Sequence, residues 1–358
     1  MSSGNQVLVG KVQTVLGPLA KEDIGITLSH EHCLIDITCT ARQPTDEKER
    51  QRASETLSFK NVGYARYHPL EIRDNLLMLD EELAISELRQ FKEVGGQTLV
   101  DMTNDDLKRN PRALVRISKA TGLNILMGSG YYEGAAQDAG KMEKRTEEDI
   151  ATEIVADIRK GAHGTEIRAG VIGEIGCSWP LKELERKSLR AAGMAQRETG
   201  APLVVHPGRN EKAPEELVNI LKEVGADLGH TVICHIDRTV FEAENRYRLA
   251  EAGCFLAYDI WGTEGHYPRA LSITDILNDT QRIAAINDLT AKGYGRQILI
   301  SHDICWKCRY TTFGGHGYTH ILSNAVPLMK DRGVSESDIG NLLVRNPSRF
   351  FAFGNVGQ

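Results

Sequence analysis

The stretch Ile26-Thr27-Leu28-Ser29-His30-Glu31-His32 begins as a short apolar, β-branched run and finishes in three ionisable groups. Residues two apart on a strand share a face, so His30 and His32 aim the same way. Seven further runs of this kind follow: TLVDMT (98–103), NILMGSG (124–130), AGVIGEIG (169–176), PLVVH (202–206), TVICH (231–235), CFLAYD (254–259) and QILISHD (297–303). Their centres are continuously apolar, as expected of strands covered on both faces. Most of the intervening segments have helical spacing. Residues 72–94 place Leu76, Leu79, Leu83 and Ile85 near one face, and 182–198 and 214–224 behave likewise, with Pro214 suited to a first turn. Strands alternating with helices predict an α/β fold: one (β/α)₈ barrel of parallel strands spanning residues 1–358. A doubly wound open sheet is the alternative, but no glycine-rich dinucleotide fingerprint follows the first strand. Residues 40–70 are polar, charged and without clear periodicity. They follow the first strand and read as a lid over the barrel mouth or as a solvated insertion.

A barrel of this type carries its chemistry at the C-terminal ends of its strands. Five of the eight runs end in, or just past, a metal-ligand residue: His30 and His32 on the first, Glu174 on the fourth, His206 on the fifth, His235 on the sixth and Asp303 on the eighth. Any one of these alone is weak evidence, since a single histidine is more often a hydrogen-bonded core or surface residue. Six at the same end of successive strands are different, because an apolar barrel has no other reason to place ionisable groups there. The set suits one or two borderline divalent ions, Zn²⁺ foremost, with Mn²⁺, Co²⁺ or Fe²⁺ as alternatives. Two ions about 3.5–4 Å apart can share a hydroxide, and an anionic bridge offsets their repulsion. Glu174 is placed for that bridge. Asp303 is placed to ligate the first ion and to accept the proton of the bridging water, as the catalytic residue. His302 points to the face opposite Asp303.

The 358 residues carry a net charge of −6 with no basic tract, which argues against nucleic acid or an anionic membrane as partner and leaves a small-molecule substrate. No stretch approaches the length of a membrane helix and the N-terminus has no apolar leader, so a soluble cytoplasmic protein is expected. The seven cysteines read as reduced thiols. Cys305 and Cys308 form a C-x-x-C without the second pair that a structural zinc requires.

The segments TLSHEH (27–32), GVIGEIGCSWP (170–180), HPGRN (206–210), the H-x-D of His235 and Asp237, SHD (301–303), GGHGYTHI (314–321) and NPSRF (346–350) resemble the phosphotriesterase family of the amidohydrolase superfamily. Within it, GKVQTVLG (10–17) and the motif around Glu174 are most similar to the phosphotriesterase-related branch. The resemblance runs almost end to end. It implies a TIM-type barrel with a binuclear, usually zinc, centre: His30, His32 and Asp303 on the buried ion, His206 and His235 on the exposed one, Glu174 between them. Members that hydrolyse paraoxon carry a carboxylated lysine where this chain has Glu174, and the shorter glutamate argues against efficient phosphotriester hydrolysis. Vertebrate members of the related branch hydrolyse N-acetyltaurine-like amides, and other branches open lactones. Relatives are often dimers, so a homodimer is one assembly the resemblance allows. Arg209 is a candidate fork for an anionic substrate head. Tyr132, after the third strand, is a candidate to reach the bridging site, as the matching tyrosine does in the lactonases. The leading expectation is thus a metal-dependent hydrolase of an amide, ester or lactone bond in a small anionic acyl compound. An organophosphate triesterase and a non-catalytic ligand-binding barrel stand as alternatives.

Overall fold

In the computed structural model, which describes residues 8–263 and 276–355, the eight runs form one parallel sheet. The strands are β1 (Thr27–Glu31), β2 (Thr98–Asp101), β3 (Asn124–Ser129), β4 (Val171–Gly176), β5 (Leu203–His206), β6 (Thr231–Ile233), β7 (Phe255–Tyr258) and β8 (Ile298–Ile300). They pair in chain order from β1 to β8, as right-handed βα units dictate. The seam between β8 and β1 is joined by single bonds in place of a regular ladder. Ser29 Oγ donates to Ile300 O at 2.8 Å and Asp303 N donates to His30 O at 3.2 Å.

Alternate residues of strands β2–β8 serve two cores. Leu99, Ile125, Leu203, Ile233, Leu256 and Ile298 face the outer helices. Val100, Leu126, Val171, Val204, Val232, Ala257 and Leu299 fill the interior, together with Val12 of the strand Lys11–Thr14 and Phe350 and Phe351 of the helix Asn346–Phe351. The two chain ends thereby contribute to the interior core, which leaves the opposite, C-terminal rim for chemistry.

The helices expected at 182–198 and 214–224 are Glu183–Thr199 and Ala213–Glu223. The one expected over 72–94 is shorter. Arg73–Leu76 is a 3₁₀ turn, Leu77–Met78 pairs with Ile35–Asp36, and the α-helix runs only over Glu81–Glu93. Asp80 sets its start by accepting from Leu83 N, an N-cap bond that overrides the apolar spacing. Leu79, expected on the buried face, is 48% exposed. Residues 40–70 are more ordered than their sequence indicates. They hold the helices Glu47–Ala53, capped by Asp46, and Val62–Tyr67, and they bury Leu57, Val62, Ala65 and Leu70. All seven cysteines are free, and burial pushes the Cys305 and Cys308 thiols upward in pKa. Among the described residues, no helix is long and apolar enough to cross a membrane.

Candidate metal centre

Along β1 the alternation separates the HEH triplet. His30 and His32 point into the mouth, each 1% exposed, while Glu31 turns outward and is fully buried against the end of β8. Its Oε1 accepts from Ser301 Oγ, His302 N and His302 Nδ1, each at 2.8 Å, and its Oε2 accepts from Ile304 N at 3.0 Å. The same contacts take His302 away from the site. On β4, Gly173 precedes Glu174 at φ +138°, and a Cβ there would lie 2.7 Å from Val204 O. His235 and Asp303 sit just past β6 and β8 at φ 54° and 52°, a left-handed conformation costly for side-chain-bearing residues. Their amides are held there, His235 N donating to Asp259 Oδ1 at 2.9 Å and Asp303 N to His30 O.

The six predicted residues converge. Glu174 lies at their centre: Oε2 is 2.7 Å from His206 Nδ1 and 3.6 Å from both His30 Nε2 and His235 Nε2, while Oε1 is 3.6 Å from His32 Nε2. Asp303 Oδ1 is 3.3 Å from His32 Nε2 and 3.8 Å from His30 Nε2. Among the described residues, three groups have donor atoms close enough to hold an ion: His30 with His32 and Asp303, Glu174 with His206 and His235, and His30 with His235 and Asp259. Several of these separations exceed a hydrogen bond, and among the described residues buried His30 Nε2 has no hydrogen-bond partner. A cation between the imidazoles and carboxylates would satisfy it, so the donor set fits a metal pair.

Outer contacts fix the rings. Thr103 Oγ1 donates to Leu34 O, so its lone pair accepts from His32 Nδ1 at 2.9 Å and leaves Nε2 facing the site. Asp259 Oδ1 takes the Nδ1 proton of His235 at 2.8 Å, and its Oδ2 lies 3.1 Å from His30 Nδ1. Burial raises the pKa of Glu174, but His30 and His206 outweigh it and hold the carboxyl well below the usual range. Asp303 is lowered likewise, the hydrogen bond from His32 and the charge of His30 overcoming burial. Burial opposes protonation of His30, yet Cys234, Glu174 and Asp259 raise it well above the ordinary histidine value. These are the electrostatics of a site built to receive positive charge.

Tyr132 packs edge-on against His206, ring centroids 5.1 Å apart, and burial followed by the Glu174 charge pushes its hydroxyl pKa well up. Half-buried Arg209 lies near enough to oppose that rise and to lower Glu133. Sequence reasoning missed three neighbours: Asp259, Glu133 and Arg238. Asp259 ends the CFLAYD run, just past β7, where the other candidate donors end theirs, and that position was the available signal. Nothing in the sequence flags Glu133, whose Oε1 is 3.2 Å from His206 Nε2. Burial would raise its carboxyl, but His206, Arg209 and Arg238 bring it down to about 2.

A parallel eight-stranded barrel with this donor set at its C-terminal rim is the framework of a metal-dependent hydrolase. Sequence comparison agrees. The model of the phosphotriesterase family matches residues 10–351, and the chain belongs to that family. The N-acetyltaurine hydrolase of Salmo salar is 40% identical over 348 residues, covering 97% of this chain and 99% of that protein. A phosphotriesterase-related protein of Nematostella vectensis is 40% identical over 347 residues, 96% of this chain and 99% of its own. The crystal structure of a resiniferatoxin-binding protein from Rhodobacter sphaeroides matches with a TM-score of 0.92 at 35% identity, over 97% of both chains.

Proposed function

We propose that His30, His32, Glu174, His206, His235 and Asp303 hold two zinc ions with Glu174 between them, and that the chain hydrolyses the amide of a small anionic N-acyl compound, N-acetyltaurine or a near relative. The observation that carries this reading is the position of Glu174, whose two oxygens face all four imidazoles at 2.7–3.6 Å. Imidazole and carboxylate donors suit zinc. When bound, such a pair supplies an acidified water and polarises the scissile carbonyl. The chain's own residues do the rest. Asp303 has a side chain 15% exposed, against 1% for His30 and His32, so it faces the substrate space. Its carboxylate takes the proton of the attacking water and passes it to the departing amine nitrogen. Arg209 forks onto the sulfonate or carboxylate head, and Tyr132 walls the chamber beside His206. Residues 40–70 act as the lid, Arg66 donating to Gly314 O beyond β8. Just after that segment, Asp74 pairs with Lys307 at 2.6 Å.

The test is a substrate panel at defined zinc: N-acetyltaurine, N-acyl amino acids, lactones and an aryl phosphotriester, with Asp303→Asn as control. Turnover should be highest on an N-acyl amide and fall at least about 100-fold in the variant. A phosphotriester turned over faster than every carbonyl substrate, or no amide hydrolysis at all, refutes the reading.

A further inference from the structure

Three of the four imidazoles turn Nε2 toward the centre of the site, and His206 turns Nδ1, which lies 2.7 Å from Glu174 Oε2 and 2.9 Å from His235 Nε2. A neutral ring can offer one nitrogen to a cation only if its proton sits on the other. For His32 and His235 the outer partner is an acceptor, Thr103 or Asp259. For His206 the outer atom, Nε2, meets two groups of opposite kind: Glu133 Oε1 at 3.2 Å and Arg238 Nη2 at 3.0 Å. The carboxylate accepts a hydrogen bond from Nε2–H, which keeps the proton there and so frees Nδ1 for a ligand bond. The guanidinium can only donate, which makes Nε2 the acceptor and leaves the proton on Nδ1, facing Glu174.

We propose that Glu133 is a positioning residue that selects the metal-ligating tautomer of His206, against Arg238, which favours the other. The grip on the outer ion is then set by Glu133, a residue that touches neither ion nor substrate carbonyl. This rests on the ligand set proposed above. The placement of Glu133 is built in: a Cβ at Gly176 would come within 2.1 Å of Glu133 N and 2.4 Å of Tyr132 C, so only glycine lets that loop close onto His206. Carboxylates in this outer position change metal affinity by about 10- to 100-fold in other sites.

The experiment is equilibrium dialysis of the full chain against buffered free zinc, for wild type, Glu133→Gln and Glu133→Leu, with ¹⁵N-histidine spectra of the zinc-loaded wild type. Glutamine and leucine both remove the charge, but only glutamine keeps an oxygen that accepts from Nε2. The second zinc should loosen by about 10- to 100-fold in Glu133→Leu and by clearly less in Glu133→Gln. In the loaded wild type the His206 proton should sit on Nε2. Equal losses in the two variants would mean that charge alone matters, and that overturns the proposal. So does wild-type affinity in Glu133→Leu. A proton on Nδ1 of loaded His206 also overturns it, a readout that stands even if the leucine variant does not fold. A wild type that binds fewer than two zinc ions sinks the ligand-set reading itself. Two tight ions with an indifferent Glu133→Leu sink only the role of Glu133.

Discussion

Replacing Glu31 by glutamine removes one charge and leaves the shape of the side chain almost unchanged, so its cost can be worked from the contacts. Four donors converge on that carboxylate, three on Oε1 and one on Oε2, at 2.8–3.0 Å. Glutamine keeps one oxygen, which will take the three-donor position. Its NH₂ must then face Ile304 N–H. One hydrogen bond to a charged acceptor is lost, worth about 1.5–3 kcal/mol, and a buried N–H is left unpaired at about 1–3 kcal/mol. The expected loss is about 3–5 kcal/mol. Urea unfolding followed by tryptophan fluorescence and circular dichroism should show this as a lower midpoint at unchanged slope. Ile304 adjoins Asp303, so zinc retention against a chelator should weaken in parallel. A loss below about 1 kcal/mol with undiminished zinc retention would show that these bonds do not hold the end of β8, and the account of the seam would be wrong.

Glu174→Gln should cost the protein at least one of two bound zinc ions by elemental analysis, because a neutral amide cannot offset two adjacent cations; full metal content and activity would exclude the bridging role. Gly176→Ala sets a Cβ against the backbone of Tyr132 and Glu133 and should destabilise by about 1–3 kcal/mol, read as a shift in urea midpoint. Asp279 supplies a pH prediction. Burial pushes its carboxyl up, but the hydrogen bond from His320 and the charge of Arg282 bring it down to about 2, below its value in an unfolded chain. Its contribution of roughly 2 kcal/mol is therefore complete above about pH 4 and is lost as pH falls toward 2. Between pH 4.5 and 3 the stability of Asp279→Asn should fall less steeply than that of wild type.

The strands and the convergence of six donor-type residues were legible because each obeys a local rule. A fully covered strand is an apolar run, and an ionisable residue at its end needs a reason to be there. Where the deciding contact is a single bond, local rules gave less. Leu76 and Leu79 continue the apolar spacing of the following helix, yet the Asp80 cap starts that helix at Glu81. Residues 40–70 carry too many charges for their four buried apolar residues to stand out. Asp259 sits where the end-of-strand rule applies and could have been read. Glu133 could not, because its partner is 73 residues away and only the close approach of its loop to Gly176 brings the two together.

The joint between β8 and β1 runs directly through the proposed donor set: His30 and His32 stand on one side of it and Asp303 on the other. A chain cut or stalled before residue 298 would lack the carboxylate that closes the inner group, however well its other strands had assembled. If the proposed centre holds, tight capture of its inner ion requires both sides of this joint, and zinc uptake would then report whether β1 and β8 have met.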